Sequence, residues 1–413
     1  MRIAVVSQYF WPESFRVNDL VAELSAQGHE VQVLTGRPNY PSGRLFPGYG
    51  IVRPFRQSAL GARIRRVPLI PRGDGGAARL SANYASFAVS ASLLGPLLVR
   101  GRIDAVLVCG FSPVTVTIPA LTLAAVKRAP VVLWLQDLWP DTLLAMGLLR
   151  RPWTRRVATA LTAWLHRGMD HVLVQSEAFR RPLREHGVSE GRMSYAPNWA
   201  EEEFAPVAVP SDAVERAELP DGFVLMFAGN LGTAQALETL VEAAEVTRDT
   251  RDLHWVVLGD GSRAGWLRDE VQRRGLEATV HVLGRKPVET MPRWFALADA
   301  MLVTLRPDPV YEMTIPSKVQ AYLACGRPVL AGLDGEGARV VRDAECGIAV
   351  PAGDAVALAE GARRLHAMRP EERQDLGHRA REHYLAQFDR RTTISHIVDT
   401  LSTVTMVRGP ECG

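Results

Sequence analysis

YEMTIPSKVQAYLACGRPVLA, residues 311–331, is the stretch from which the fold is read. Ile315-Pro316-Ser317 opens a helix that runs through Val319 to Ala324, because Pro and Ser suit the first helical turn. Gly326 stops it, and Pro328–Ala331 is an apolar run too short for another helix, hence a buried strand. The first turn of such a helix offers unpaired backbone N–H groups and the positive end of the helix dipole, so an anion fits there. Lys318 stands at that end, where positive charge opposes the dipole. Of 48 basic residues only Lys127, Lys286 and Lys318 are lysines, so a lysine here needs a reason, and a bound phosphate supplies one. The alternative is an ordinary surface lysine beside a Pro-initiated helix.

Outward from this stretch, apolar runs of strand length alternate with helical segments. In the N-terminal half the strands are expected at Ile3–Ser7, Val31–Thr35, Ile64–Pro68, Ala105–Cys109, Val131–Leu135 and His171–Val174. Helices are expected at Val17–Gln27, from Leu80, from Pro113 and at Trp153–His166. Strands that are apolar throughout and alternate with helices predict a parallel sheet covered on both faces. Asn198–Asp221, rich in acid and Pro, reads as a linker, and a second alternation begins at Phe223–Ala228. The expected architecture is α/β, with two Rossmann-like doubly wound parallel-sheet domains facing a central cleft. They span 1–197 and 222–388, with a linker at 198–221. Ligands of such sheets bind at the carboxyl ends of the strands.

A length of 413 residues agrees with two domains, and 47% hydrophobic with 23% charged residues is a soluble globular composition. Cys109, Cys325, Cys346 and Cys412 form neither a paired framework nor CxxC spacing, which points to a reducing cytosol and away from structural zinc. Met1-Arg2 leads straight into a strand, without the pattern of a signal peptide. Charge is uneven: residues 1–200 hold 24 basic and 12 acidic side chains, residues 201–413 hold 24 and 33. Nine arginines between Arg37 and Arg79 face the single Asp74, a cluster that attracts anionic lipid, a lipid pyrophosphate or nucleic acid. Few aromatics interleave and no recognition motif is present, so nucleic acid is the weakest of these partners. Leu80–Val99 is uncharged and near the length of a membrane span, but Asn83, four serines and Pro96 favour a buried or interface-lying helix.

Neither first strand–helix turn carries GxGxxG: Ser7-Gln8-Tyr9-Phe10-Trp11-Pro12 follows one strand and Gly229-Asn230-Leu231-Gly232 the other. A nicotinamide or flavin dehydrogenase is thereby disfavoured. Walker A, HExxH and DxD sequences are also absent, so a metal-held nucleotide has no sequence support.

Six segments resemble the family-4 retaining glycosyltransferases of the GT-B fold, and among them the subgroup that assembles bacterial exopolysaccharide and O-antigen units. They are SQYFWPESFRVNDLVAELSAQGHEVQVLTGRPNYPSG at 7–43, WLQDLWPDTLLAMG at 134–147, VLVQSEAFRRPL at 172–183, YAPNW at 195–199, MFAGNLGTAQALETL at 226–240, and IPSKVQAYLACGRPVLA with ECGIAVPAGD to residue 354. The resemblance implies transfer of a sugar from a nucleotide diphosphate, UDP favoured and GDP possible, to a polyprenyl-diphosphate-linked or other glycan acceptor. It implies a C-terminal domain that holds the nucleotide, an N-terminal domain that holds the acceptor, and a C-terminal helix, 389–413, crossing back to the N-terminal domain. No obligatory metal is implied, and the expected place is cytoplasmic, peripheral on the inner face of the plasma membrane.

The resemblance departs from the family at identifiable positions. Asn230 and Gln235 stand where an Arg and a Lys commonly steady the diphosphate, which leaves Lys318 as the candidate cation with Arg285 or Arg306 as helper. Met313 and Ala321 stand where a pair of glutamates is usual, while Glu312 and Gln320 keep the spacing one residue earlier. Expected catalytic groups are therefore Lys318, Glu312 and Asp137, the last after the strand at 131–135. The nucleotide side is expected at Gly229, Asn230, Gly232, Gln235, Gly284, Arg285, Ile315, Pro316, Ser317 and Gln320. The acceptor side is expected at Glu13, Arg16, Asn18, Asn39, Tyr40, Arg44 and Asn198, each with an ordinary capping, turn or hinge role as its alternative. Other readings are a sugar-nucleotide epimerase and a non-catalytic sugar-nucleotide-binding assembly protein.

Overall fold

The computed structural model describes residues 1–50, 55–73, 76–145 and 151–408. Arg53 and Asp74 of the basic stretch, Met146 and Gly147 of the Asp137 segment, and Cys412 lie outside them. The chain divides into two units, the first made of Met1–Ala196 with Arg391–Gly413 and the second of Pro197–Arg390.

Unit 1 is built on an eight-stranded sheet. Its strands are β1 Arg2–Val6, β2 Glu30–Thr35, β3 Phe55–Ala59, β4 Ala62–Arg66, β5 Ala105–Gly110, β6 Val131–Leu135, β7 His171–Val174 and β8 Met193–Tyr195. The order is β3-β4-β2-β1-β5-β6-β7-β8. Ile3, Ala4, Val5 and Val6 are fully buried because β1 is central and covered on both faces, as an apolar run requires. The chain steps one way from β1 to β2 and the other way from β5 to β6, so the sheet reverses between β1 and β5 and opens a crevice at their carboxyl ends.

β3 pairs antiparallel with β4 and forms the edge of the sheet, an added strand before the one expected at Ile64–Pro68. Along β4, the strand next to that edge, Ala62, Ile64 and Arg66 are buried while Arg63 is exposed, an alternation that its arginines disguise. The uncharged run at 80–99 is the helix Ala77–Leu98. Its Asn83 is fully buried, accepting from Gln8 Nε2 at 2.7 Å and donating to the Ile70 carbonyl at 2.6 Å. The C-terminal helix Arg390–Val407 packs within unit 1, where Thr405 Oγ1 donates to the Asp104 carbonyl and Arg408 pairs with Asp170 at 3.2 Å.

Unit 2 holds a six-stranded sheet in the order β11-β10-β9-β12-β13-β14. The strands are β9 Phe223–Ala228, β10 Leu253–Leu258, β11 Val280–Gly284, β12 Ala300–Thr304, β13 Val329–Gly332 and β14 Gly347–Val350, and every recorded pairing is parallel. Along β9 alternate residues feed two cores: Val224, Met226 and Ala228 one face, Phe223, Leu225 and Phe227 the other. A helix, Gly335–Asp343, joins β13 to β14 where GEGARVVRD carries no helix signal. Burial of Ala338, Val340 and Val341 outweighs its two poor helix formers. Residues 198–221 group with unit 2: the Ala200 amide donates to Tyr384 Oη at 3.3 Å, and buried Glu215 pairs with Arg293 at 2.9 Å.

Candidate active site

The helix Ser317–Ala324 begins after Pro316 and is followed by Gly326 at φ +64°, so its first turn faces the carboxyl end of β9 as the sequence pattern requires. Lys318, on that first turn, extends across the end of β9. Its ammonium donates to Gln235 Oε1 at 2.6 Å and lies 3.5 Å from the centroid of the Phe227 ring. Among the described residues it has no carboxylate partner. Burial pushes its pKa from the usual lysine range down to about 7. A cation held in a poorly solvated place without a counter-charge is a receptor for an anion.

Two glycines make room for it. Gly229 follows β9 at φ +136°, and a Cβ there would stand 2.6 Å from Lys318 Cε. Gly259 follows β10 at φ +145°, and a Cβ there would stand 1.8 Å from the Gly229 carbonyl oxygen. The loops after β9 and β10 thus touch through backbone alone, and the Gly259 amide donates onward to the Gly284 carbonyl at 2.8 Å. Beside them opens a cavity of about 940 Å³, lined by Gly229, Asn230, Gly259, Asp260, Arg285, Ser317 and Lys318 with Phe204, Phe295 and Tyr322 as its apolar wall. That volume suits a nucleotide-sized ligand.

Other expected nucleotide-side residues lie around or behind this cavity. Gly232 and Gln235 belong to the turn that carries Lys318's hydrogen-bond partner, Thr233–Gln235. Ile315 is buried in the core. Glu312 is exposed at the end of the short helix Pro309–Glu312 and, with Pro316 and Arg306, lines a separate small recess. Gln320 points away from the cavity: it is buried and donates to the Asn198 carbonyl at 2.7 Å. The spacing that pairs Glu312 with Gln320 therefore does not bring them together, because one lies before the helix start and the other on its buried face.

In unit 1 the segments that follow β1 and β2 hold six of the seven expected acceptor-side residues, all but Asn198, which groups with unit 2. Glu13 is buried and accepts amide N–H bonds from Asn39 at 2.8 Å, Tyr40 at 2.7 Å and Phe10 at 3.3 Å. Desolvation raises its pKa, and those amide bonds hold the rise in check. Asn18 accepts from the Trp11 amide at 2.9 Å and donates to the Glu13 carbonyl at 2.7 Å, while Arg16 stands just before the helix Val17–Ala26. Asn39 is buried, accepting from the Arg72 amide at 3.1 Å, and Arg44 is exposed with its amide on Ser42. Glu13, Asn18 and Asn39 thus act here as loop braces.

What these braces hold is an aromatic shelf that the sequence did not announce. Tyr9 stacks on Phe15 with centroids 4.9 Å apart, and Tyr40 and Phe111 pack on Phe15 at 5.3 and 5.4 Å. The Arg72 guanidinium lies over both Tyr40 and Tyr9, at 5.1 and 5.9 Å. Asp137 is half-buried and accepts from Thr142 Oγ1, and its charge bears on the Tyr84 hydroxyl, whose pKa is raised first by burial. The one sequence signal for the shelf is a run of aromatics, Tyr9, Phe10 and Trp11, where a glycine-rich turn is usual.

Among the described residues no group of three His, Cys, Asp or Glu side chains is placed to hold a metal ion.

Known proteins place the chain. Residues 14–199 match the family described as "Glycosyl transferase 4-like domain", and residues 222–368 match "Glycosyl transferases group 1". The colanic acid biosynthesis glycosyl transferase WcaI of Escherichia coli (strain K12) is 30% identical over 339 residues, 79% of this chain and 82% of that protein. The alpha-D-kanosaminyltransferase of Streptomyces kanamyceticus is 27% identical over 37% of this chain and 38% of its own length. Among solved structures, sucrose-phosphate synthase from Thermosynechococcus elongatus superposes with a TM-score of 0.75 at 19% identity, covering 98% of this chain and 99% of that one. Anabaena Alr3699/HepE in complex with UDP does so at 0.68 and 14%, covering 98% and 100%. Two parallel-sheet α/β domains and these relatives agree: the chain belongs to the group 1 glycosyltransferases and is a glycosyltransferase of the GT-B fold.

Proposed function

We propose that the protein transfers a sugar, with retention of configuration, from a UDP-sugar to a polyprenyl-diphosphate-linked glycan on the cytoplasmic face of a membrane, in the assembly of a cell-surface polysaccharide. The observation that carries the donor side is Lys318, uncompensated and poised over the glycine-lined end of β9. Its ammonium and the first-turn amides of the helix Ser317–Ala324 receive the diphosphate, and Arg285 closes on it from the cavity wall. The base and ribose lie against the apolar side of the same cavity. UDP is favoured because structures of the same fold are described with it, HepE with UDP and with UDP-glucose, and the E. coli trehalose-6-phosphate protein with UDP-2-fluoro glucose.

In the reaction the bond from the sugar's anomeric carbon to the diphosphate oxygen breaks, and the acceptor hydroxyl adds on the face the diphosphate leaves. The acceptor proton passes to the departing phosphate, whose charge Lys318 steadies. Asp137 and the shelf, through Tyr40 and Phe15 with Tyr9 buried behind them, receive the acceptor glycan, aromatic faces being suited to sugar rings. The polysaccharide setting follows the relationship to WcaI, whose name places it in colanic acid biosynthesis.

The test is turnover with a lipid-linked acceptor and UDP-, GDP- and dTDP-sugars. Lipid-linked product and UDP should form in equal amounts, with the anomeric configuration of the donor kept. Transfer from GDP- or dTDP-sugars alone, or an inverted product, counts against the proposal.

A further inference from the structure

The helix Pro152–Arg167 is apolar on two sides. Thr162, Leu165 and His166 face inward, while Trp153, Val157, Leu161 and Trp164 are exposed, the two indoles at 61% and 59%. Spacings of four, four and three residues put these four on one outer stripe. The helix Ala77–Leu98 repeats the pattern: Phe87, Ala91 and Leu98 are buried, and Val89, Leu93 and Leu97 are exposed at intervals of four. Val126, on the helix Thr117–Lys127, is exposed as well.

These three helices share one face of the sheet. They connect β4 to β5, β5 to β6 and β6 to β7, all steps in the same direction, and right-handed crossovers put such helices on one side. They are also neighbours. Gly168, at the end of the helix Pro152–Arg167, lies close against Leu121 of the helix Thr117–Lys127, which in turn packs on the helix Ala77–Leu98. None of the three contains an Asp or Glu, in a chain with 45 acidic residues. Arg156 and Arg167 stand about 40–60° round the helix from Trp153, flanking the stripe.

We infer that this face docks on an anionic lipid bilayer. The helix Pro152–Arg167 lies in the interface plane with Trp153 and Trp164 at headgroup level, and Arg156 and Arg167 meet lipid phosphates. Among the described residues no helix is long and apolar enough to cross a membrane, so the contact is lateral. Charge argues against a second copy as the partner, because a two-fold contact would set Arg156 and Arg167 against three helices that hold no acid to answer them. The inference rests on the reading that the acceptor is membrane-bound, and it adds a contact to the Arg37–Arg79 cluster, of which Arg44, Arg56, Arg63 and Arg79 are exposed. There Arg37 and Arg66 are buried, and Arg66 is used internally on Gly36 and Gln57 at 2.9 Å.

The test is flotation of the full chain with vesicles of phosphatidylcholine alone or mixed equally with phosphatidylglycerol. Wild type should float with the mixed vesicles and lose this at high salt. Trp153→Ser with Trp164→Ser, and separately Arg156→Glu with Arg167→Glu, should each weaken binding about tenfold or more while melting temperature stays the same. Brominated lipids should quench wild-type tryptophan fluorescence, a readout that needs no variant. Absence of binding to the mixed vesicles, or equal binding by both variants, overturns the inference. So does a wild-type dimer that the Trp variant converts to a monomer with vesicle affinity unchanged. UDP-sugar titration without lipid separates the two readings. If wild type binds no UDP-sugar yet floats as described, the donor reading fails and the docking face stands.

Discussion

Gly229 leaves the space that Lys318 fills: a Cβ on Gly229 would stand 2.6 Å from Lys318 Cε. Gly229→Ala must therefore move the lysine and also hold alanine at φ +136°. Backbone strain of this kind costs about 1–3 kcal/mol, and donor affinity should fall with it by roughly tenfold or more. Thermal melting and nucleotide titration on the same preparation check this, and an unchanged affinity would show that the two residues do not shape one site.

Burial holds the Lys318 pKa near 7, and that sets two pH dependences of opposite sense. A bound diphosphate favours the ammonium, so donor affinity should fall as pH rises through about 7. Stability goes the other way. The unfolded lysine binds a proton up to its ordinary pKa, so the folding penalty is present in full below about 7 and fades as pH approaches the unfolded value. Lys318→Met should raise the melting temperature at about pH 6, and by less at about pH 10. Denaturation scans across that range decide it.

Glu13 braces two loops by accepting the Asn39 and Tyr40 amides in a buried place. Glu13→Ala strands those donors and should cost about 2–3 kcal/mol of stability. UDP-sugar affinity should be unchanged, because Glu13 belongs to unit 1 and the nucleotide cavity to unit 2. Urea melts paired with titration test both halves of the statement.

His166 and His186 share one proton bridge, Nδ1 to Nδ1 at 3.0 Å, so one ring donates and the other accepts while both stay neutral. Burial, helped by the neighbouring ring, pushes the His166 pKa down to about 3, and burial lowers His186 as well. Both groups take up protons on unfolding below about pH 6.5, so stability is complete above that value and falls toward the folded pKa. The slope should approach about 1.4 kcal/mol per pH unit for each histidine, and His166→Phe should flatten it. Urea unfolding at several pH values reads the slope directly.

How far the sequence carries the fold depends on whether a signal is local. The helix Ser317–Ala324 is legible because Pro316 and Gly326 punctuate it within ten residues. β1, β5 and β6 are legible because central parallel strands must be apolar on both faces. β3 is hidden because this edge strand, FRQSA, carries no apolar run, and Gly335–Asp343 because its helix is held by packing rather than by its residues' preferences. The meeting of Lys318 with Gly229 at the end of β9 follows from local signals, a helix start and a glycine after a strand. The separation of Glu312 from Gln320 is not legible, since the register of a helix start decides which face each meets. The shelf of Tyr9, Phe15, Tyr40 and Phe111 assembles residues a hundred positions apart, beyond any local pattern. The exposed stripe of Trp153 and Trp164 has the spacing of an ordinary core face, and the inward packing of Thr162, Leu165 and His166 reveals that it turns outward.

The most direct test of the central claim is calorimetric titration of UDP-sugars against wild type and Lys318→Ala near neutral pH. If Lys318 receives the diphosphate, the variant loses roughly tenfold to a hundredfold in affinity, about 1.5–3 kcal/mol for a charge-assisted hydrogen bond, with its melting temperature kept or raised. Equal affinity in the two proteins would contradict the account and move the diphosphate away from the glycine-lined end of β9.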